Sequence, residues 1–272
     1  MLDMLKPPAA PTCGRLILEL LTAIPQHTAP AAVLIRGAAV FGFDDNAVRV
    51  ALTRLRQRGL IASVERGIYR IGPSAEQTTG WIVTWRDRAS WLAPWDGTWL
   101  ALSVDLSDLT RTDQMHLQRW LQLRGFQATS RALFLRPANL DRPWERLGAP
   151  PMPALTGHFD VHGALPEQTL THWRSGPWNA QMRRALERLR QARQSMADRS
   201  LEEAARLSFL TGSDAIAAIV REPLLPEPWT DAALRQQLIQ EMTAFDELGK
   251  RLWFRIMFPD STTASTCKGE DP

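Results

Sequence analysis

A short basic segment of the chain carries side chains that can bind nucleic acid. Residues 43–72 contain six arginines beside a regular pattern of valine, alanine and leucine. Arginine guanidinium groups bind phosphates, and arginine and asparagine also form paired hydrogen bonds with guanine and adenine edges. The methyl groups of valine and threonine contact thymine. The residue types in this segment therefore predict a surface that binds DNA.

A helical period separates these side chains from an apolar face over residues 45–58. The positions predicted to pack inward are Val48, Ala51, Leu52 and Leu55. The N-terminal half of such a helix is the part that enters the major groove, and its candidates for base reading are Asn46, Arg49, Val50 and Thr53. The candidates for phosphate contacts, which position a protein without specifying sequence, are Arg54, Arg56, Arg58 and Arg66. The alternative is a solvated helix face that binds nothing.

The elements around this segment predict a winged helix-turn-helix domain over residues 1–75. Residues 15–24 and 31–42 have the pattern of two helices, with a turn between Pro25 and Pro30. Asp44 or Asp45 can cap the basic helix, and Gly59 can end it. Residues 60–71 carry Gly67 in their middle, which is typical of a hairpin whose tip places Arg66 beside DNA.

Charge and composition agree with an anionic partner for this domain. Residues 1–72 hold nine basic and five acidic side chains, whereas the whole chain of 272 residues has a net charge of only +3. The two cysteines, Cys13 and Cys267, form no disulfide framework or metal motif, which predicts a reducing compartment. No apolar run approaches the ~18 residues of a membrane span, and the first residues lack a secretory signal. We therefore expect a cytoplasmic protein that does not bind membranes.

The rest of the chain predicts an α+β protein with further domains. Residues 76–98 have the composition of a linker. A strand over 99–104, a helix over 112–124, a strand pair over 126–136 and a strand over 157–165 predict a ferredoxin-like domain at 99–165. Residues 166–260 are predicted to be helical, in segments 167–174, 177–198, 200–211, 213–221 and 231–258. The polar residues 261–272 are expected to be disordered.

Three blocks of sequence resemble the PaaX-like transcriptional repressors, the family that controls phenylacetate degradation. "NAVRVALTRLRQRGLI" and "RGIYRIG" resemble the winged-helix domain of that family. "WDGTWLALSVDLSD" and "LRGFQATSRALFLRP" are similar to its middle domain, whose fold is similar to the small CRISPR-associated nuclease. "REPLLPEPW" resembles a proline-rich segment before its last helix. The blocks together extend over nearly the whole chain.

The resemblance implies a homodimeric DNA-binding regulator that is not an enzyme and needs no cofactor. It implies repression of genes for aromatic or acyl-coenzyme A catabolism, through a double-stranded operator that forms an inverted repeat. It also implies release by a small-molecule effector, such as phenylacetyl-coenzyme A or another aryl- or acyl-coenzyme A thioester. In this interpretation residues 99–165 support dimerisation and residues 166–260 sense the ligand.

Two kinds of side chain in the helical region are candidates for effector binding. Arginines on the helix over 177–198 suit the phosphates of coenzyme A, and tryptophans suit an aryl group. The alternatives are a solvated arginine face paired with Glu187 and tryptophans that only pack. The candidate effector residues are Arg183, Arg184, Trp173 and Trp178.

Other functions are possible on the same sequence. Asp105 follows the strand over 99–104, at the position where the related small nucleases place a metal ligand. A metal-dependent nuclease is therefore one alternative. Metal sites for phosphoryl transfer usually gather several oxygen ligands, whereas this position offers a single carboxylate. His158 and His162 would lie ~13 Å apart on a strand that rises ~3.3 Å per residue, which is too far for one metal ion. An architectural DNA-binding protein without ligand sensing is another alternative.

Overall fold

Two small antiparallel sheets and a series of helices make this an α+β protein. The computed structural model describes residues 11–75, 82–162, 165 and 167–259. Part of the predicted linker, residues 76–81, and the predicted disordered tail, residues 261–272, therefore lie outside the described residues. None of the helices in the described ranges combines the length and apolar character of a membrane-spanning helix.

The chain packs into two units. The first comprises the described residues of Met1–Thr84, Ala185–Ala217 and Gln240–Pro272, and the second comprises Trp85–Arg184 and Ala218–Ile239. The helices predicted as a separate region at 166–260 thus contribute to both units. The predicted domain boundaries stay a prediction, because packing into units and division into functional domains are different properties.

Residues 11–71, in the N-terminal part of the first unit, contain three α-helices and a three-stranded sheet. The helices are α1 (Cys13–Ala23), α2 (Ala31–Ala39) and α3 (Asp45–Gln57). The strands are β1 (Thr28–Pro30), β2 (Ile61–Glu65) and β3 (Ile68–Ile71), in the antiparallel order β1-β3-β2. The three predicted helices and the hairpin are confirmed as elements.

The core beneath α3 is built from the faces that the helical period predicts. Val48, Leu52 and Leu55 of α3 are buried, and Ala51 is half-buried. They pack against buried side chains of α1, α2 and the hairpin. These side chains are Leu16, Ile17, Leu20 and Leu21 of α1, Val33 and Leu34 of α2, and Ile61 and Ile71 of the hairpin. Because this side of α3 is occupied, its opposite side must face outward.

C-terminal helices of the first unit hold the turn between α2 and α3. These helices are α7 (Trp178–Ser195), α8 (Leu201–Arg221) and α9 (Ala232–Met257), each of which also extends into the second unit. The Arg206 Nε donates to the Val40 carbonyl in the turn over 2.9 Å. Phe41 lies 5.2 Å from Phe209 and 6.4 Å from Trp253 between ring centroids. The start of α3 is therefore positioned by side chains far away in sequence.

The predicted helices at 200–211 and 213–221 form the single helix α8. The predicted division into two helices at residue 212 was wrong, because Gly212 is accommodated inside one helix. A Cβ atom at Gly212 would lie 3.3 Å from the Met242 Cε, so the small residue allows close approach of α9.

The second unit contains a four-stranded antiparallel sheet of order β5-β6-β4-β7. Its strands are β4 (Trp99–Ser103), β5 (Gln127–Ala128), β6 (Leu133–Pro137) and β7 (Leu155–Phe159). Its helices include α4 (Arg111–Leu123), α5 (Pro143–Leu147) and α6 (Glu167–Arg174). The last strand begins two residues before the predicted range of 157–165 and ends at Phe159, six residues before the end of that range. Phe159 pairs with Trp99, the first residue of β4, so β4 offers no backbone partner beyond it.

Besides Arg235 of α9, the second unit buries Arg88, Arg124 and Arg136. The Arg88 side chain donates to the Glu222 carbonyl over 2.7 Å, and the Arg136 side chain donates to the Arg124 carbonyl over 2.7 Å. The Arg124 side chain donates to the carbonyl of Leu147. Burial lowers the pKa of Arg88 to about 10 and the pKa values of Arg124 and Arg136 to about 9. These arginines therefore connect backbone segments from inside the unit.

Candidate nucleic-acid interface

Both ends of α3 are fixed by residues that the sequence identifies. The Asp44 carboxylate accepts a hydrogen bond from the Ala47 N–H over 2.7 Å and caps the N-terminus. At the C-terminus the Gly59 N–H donates to the Arg56 carbonyl over 3.0 Å, and the Leu60 N–H donates to the Leu55 carbonyl over 2.9 Å. These two hydrogen bonds end the helix at Gly59, whose φ of +68° is the left-handed conformation that glycine commonly adopts after a helix.

A shallow, open depression, which we call the α3 groove, lies on the exposed side of α3 and is lined by Arg49, Val50, Thr53, Arg54 and Gln57. Val50 is 41% exposed although it is apolar. The Thr53 hydroxyl donates to the Arg49 carbonyl over 3.0 Å, so its hydrogen is used by the helix itself. The groove thus combines apolar methyl groups with two cations and an amide.

Within the described residues the arginines of this surface form no ion pairs, unlike arginines of other helices, although Asp45 lies one turn before Arg49. Among the described residues, no ion pair is formed by Arg49, Arg54, Arg56, Arg58 or Arg66. By contrast, Arg193 of α7 pairs with Glu241 over 3.0 Å, and Arg188 pairs with Asp214. The arginines of α3 therefore remain available for contacts with an anionic partner.

The turn of the hairpin β2–β3 presents a further exposed cation, Arg66. Arg66 lies in its turn, followed by Gly67 with a φ of +80°, a conformation that glycine adopts without strain. The Gly67 carbonyl accepts a hydrogen bond from the Ala31 N–H over 2.8 Å, at the start of α2. The turn is therefore tied to the helices, while Arg66 remains exposed.

The structure brings together part of the predicted set of DNA-binding residues. Arg49, Val50, Thr53 and Arg54 line one groove. The other four, Asn46, Arg56, Arg58 and Arg66, are exposed but do not line it. Gln57 lies in the groove and was not among the predicted site residues. Its position follows from the same helical period, since it is one turn beyond Thr53.

The candidate effector residues differ in accessibility. Arg183 and Arg184 are exposed on α7. Trp178 is half-buried, whereas Trp173 is fully buried and its indole N–H donates to the Gly125 carbonyl over 2.9 Å. Trp173 stacks on Trp99 with ring centroids 5.2 Å apart. In this conformation Trp173 contributes to the core and presents no surface to a ligand.

The residues considered for metal binding do not cluster. Asp105 accepts hydrogen bonds from the Ser107 hydroxyl over 2.6 Å and from the Ser107 N–H over 2.9 Å. These bonds, the hydroxyl first, lower the pKa of the Asp105 carboxyl. Within the described ranges no group of three or more His, Cys, Asp or Glu side chains is arranged to hold a metal ion.

The fold and site define an α+β protein with a cationic, outward-facing helix in a three-helix N-terminal region. Residues 15–73 match the family model described as PaaX-like protein, and the predicted resemblance to that family is confirmed over this part of the chain. The resemblance of the later blocks stays a prediction.

A solved structure has a similar fold. The uncharacterized protein Rv0674 from Mycobacterium tuberculosis superposes with a TM-score of 0.60 at 18% identity, covering 89% of this chain and 97% of that chain. At this identity the likeness concerns the fold alone. No curated protein sequence matches the chain.

Proposed function

We propose that this chain is a DNA-binding transcriptional regulator whose N-terminal region is a winged helix-turn-helix domain. The observation that carries the proposal is the α3 groove, with arginines that form no ion pair among the described residues. The match of residues 15–73 to the PaaX-like family supports the same function.

In this proposal α3 enters the major groove and the hairpin acts as the wing. Arg49, Val50 and Thr53 meet base edges because they lie on the outward side near the N-terminal half of α3. Asn46 reaches an adjacent base from the first turn. The phosphate contacts come from Arg54, Arg56, Arg58 and, at the wing, Arg66.

The first prediction concerns the salt dependence of DNA binding. An operator is first selected from random duplexes with the full chain. Arg56→Ala is expected to weaken binding to operator and random DNA equally, and to reduce the slope of log K against log salt by about 1. Fluorescence anisotropy at several salt concentrations measures both quantities. Arg174→Ala is the control, because Arg174 is exposed but pairs with Glu167 outside this surface. Absence of duplex binding by the wild-type chain would contradict the proposed function.

We further propose a homodimeric repressor that an acyl-coenzyme A thioester releases from an inverted-repeat operator. The support is the family resemblance, together with exposed Arg183 and Arg184 and half-buried Trp178 on the same helix, α7. The strand order of the second unit's sheet, with its βαβ connections, is consistent with the predicted ferredoxin-like domain. Release requires that the effector bind the DNA-free conformation more tightly than the DNA-bound one.

The second prediction tests this effector. Phenylacetyl-coenzyme A is expected to raise the melting temperature and to weaken operator binding about tenfold, which corresponds to about 1.4 kcal/mol of coupling. Free phenylacetate is expected to do neither, because it lacks the phosphates that arginine binds. The double variant Arg183→Ala/Arg184→Ala should lose the response, whereas Arg174→Ala should retain it. If a panel of aryl and acyl thioesters changes neither quantity, the architectural alternative replaces the sensing one.

A further inference from the structure

Two arginines join α2 to the C-terminal helices of the first unit. The Arg206 Nε of α8 donates to the carbonyl of Val40, the C-cap residue of α2, over 2.9 Å, and the Arg206 Nη2 donates to the same oxygen. The Arg36 side chain of α2 donates to the carbonyl of Met257, the last residue of α9, from Nε over 2.9 Å and from Nη2 over 2.6 Å. Arg206 therefore caps α2 and Arg36 caps α9. We call these residues the two capping arginines.

The chemistry of these bonds suits the end of a helix. The last carbonyls of a helix have no partner within the helix and carry the negative end of its dipole, so a guanidinium group is favourable there. The guanidinium is planar and presents its N–H donors in a fixed fork, whereas the ammonium group of lysine is a point charge on a flexible stem. Each capping arginine therefore fixes the orientation of one helix end relative to another helix, and not only the distance between them.

Aromatic rings support the bond at Val40. Phe41, the next residue of the chain, lies 5.2 Å from Phe209 of α8 and 6.4 Å from Trp253 of α9 between ring centroids. Trp253 is buried, and the Arg206 guanidinium lies 5.8 Å from the centroid of the Phe41 ring. One cation and two rings, all from α8 and α9, thus hold the side chain that follows α2.

The turn that these contacts hold leads directly to the start of α3. Only three residues separate Val40 from Asp44, whose carboxylate caps α3. The N–H groups of two of them, Phe41 and Phe43, donate to the Ala38 carbonyl over 3.0 Å and 3.3 Å, so the turn is compact. Because α3 begins where this turn ends, a change in the position of Val40 changes the position of the N-terminal half of α3.

We propose that Arg36 and Arg206 are positioning residues for DNA recognition, which fix the angle at which α3 meets the base edges. The inference rests on the proposed function of α3. It adds that residues 11–75 do not set this angle alone, because the groups that hold the turn lie on α8 and α9. Base reading needs paired hydrogen bonds of defined geometry, whereas phosphate contacts carry no sequence information. A change of angle therefore affects binding to an operator more than binding to random DNA.

The test uses substitutions that keep the charge and remove the fixed pair of donors. Arg206→Lys and Arg36→Lys are each expected to reduce affinity for the selected operator at least about fivefold, and to leave affinity for random duplex unchanged within about twofold. Fluorescence anisotropy of the full chain on both duplexes measures the ratio. Both capping arginines are exposed, so an introduced lysine stays solvated. Arg193→Lys is the matched control, because Arg193 is an exposed arginine of the same unit that pairs with a carboxylate, and it should retain operator affinity.

Hydrogen exchange of the free chain provides a second readout that needs no DNA. In both lysine variants the amides of residues 38–48, which include the turn and the start of α3, should exchange faster than in the wild-type chain. Strands β2 and β3 should exchange as before, which verifies that the variants are folded. An arginine that only added stability to the whole unit would speed exchange throughout it and would leave the ratio of operator to random affinity unchanged.

Two results would overturn the inference. Lysine variants that bind the operator as tightly as Arg193→Lys would show that α3 is positioned without the capping arginines. Equal losses on operator and random duplex would show that the two arginines contact phosphates or support the fold in general. Either result, obtained with a wild-type chain that binds its operator, refutes the inference alone. A wild-type chain that binds no duplex refutes the proposed function, and the inference with it.

Discussion

Replacing Arg49 with alanine is expected to weaken binding to the selected operator by about 1–3 kcal/mol, a loss of about 5- to 150-fold in affinity. Arg49 lines the α3 groove beside Val50 and Thr53, and it forms no ion pair among the described residues. A guanidinium that makes two hydrogen bonds with a guanine edge loses both on truncation. Binding to random duplex should weaken less, because non-specific binding depends mainly on phosphates.

The matched control for Arg49→Ala is Arg56→Ala. Both arginines are exposed on α3, and each substitution removes one positive charge, but Arg56 does not line the groove. Arg56→Ala should therefore reduce affinity for operator and random duplex by the same factor. Anisotropy titrations of both variants on both duplexes at one salt concentration measure the ratio. Equal losses for Arg49→Ala on the two duplexes would contradict its role in base reading.

The sequence predicts α3 and its surface well because the controlling interactions are local. The Asp44 carboxylate caps the helix by accepting from the N–H of Ala47, three residues later. At Gly59 the helix ends with a hydrogen bond between Leu60 and Leu55, which are five residues apart. A period of 3.6 residues is sufficient to place Thr53 and Gln57 opposite the buried face of α3 and Arg49 at the flank of this outward side. The groove is therefore a property of one helix, and no distant residue is needed to predict which side chains line it.

Elements whose partners are remote in sequence could not be predicted in the same way. β1 has three residues, too few for a periodic pattern, and it exists because Thr28–Pro30 pairs with Ile68–Arg70 of β3. The end of β7 at Phe159 depends on where β4 begins. Both features are set by tertiary pairing, which overrides local propensity.

The burial of arginines in the second unit is the clearest feature that no pattern in the sequence predicts. Arg136 donates to the Leu224 carbonyl over 3.2 Å, and Arg88 donates to the Glu222 carbonyl over 2.7 Å. In a sequence with 32 lysines and arginines these residues look like ordinary surface cations. Their burial follows from backbone carbonyls that approach from residues 88 and 134 positions away, which no periodic pattern encodes.

The ion pair between Glu222 and Arg235 is expected to be the most sensitive point of the second unit. Glu222 is 1% exposed, and its carboxylate accepts from the Arg235 Nε over 2.8 Å and the Arg235 Nη2 over 3.0 Å. It also accepts from the Leu224 N–H over 2.9 Å. Glu222→Gln keeps the size of the side chain but leaves a buried guanidinium without its counter-charge. We expect the free energy of unfolding to fall by about 3–5 kcal/mol, measured by urea denaturation.

Glu241→Gln provides the matched control, because it removes one carboxylate from the ion pair with Arg193, whose side chain is 54% exposed. Water solvates Arg193 after the change, so the expected loss is below about 1 kcal/mol. The difference between the two losses in the free energy of unfolding therefore measures how much burial increases the cost of removing one carboxylate charge. Similar losses for Glu222→Gln and Glu241→Gln would show that the Arg235 guanidinium finds other acceptors, for example the Thr230 hydroxyl, which already lies 2.6 Å from its Nη2.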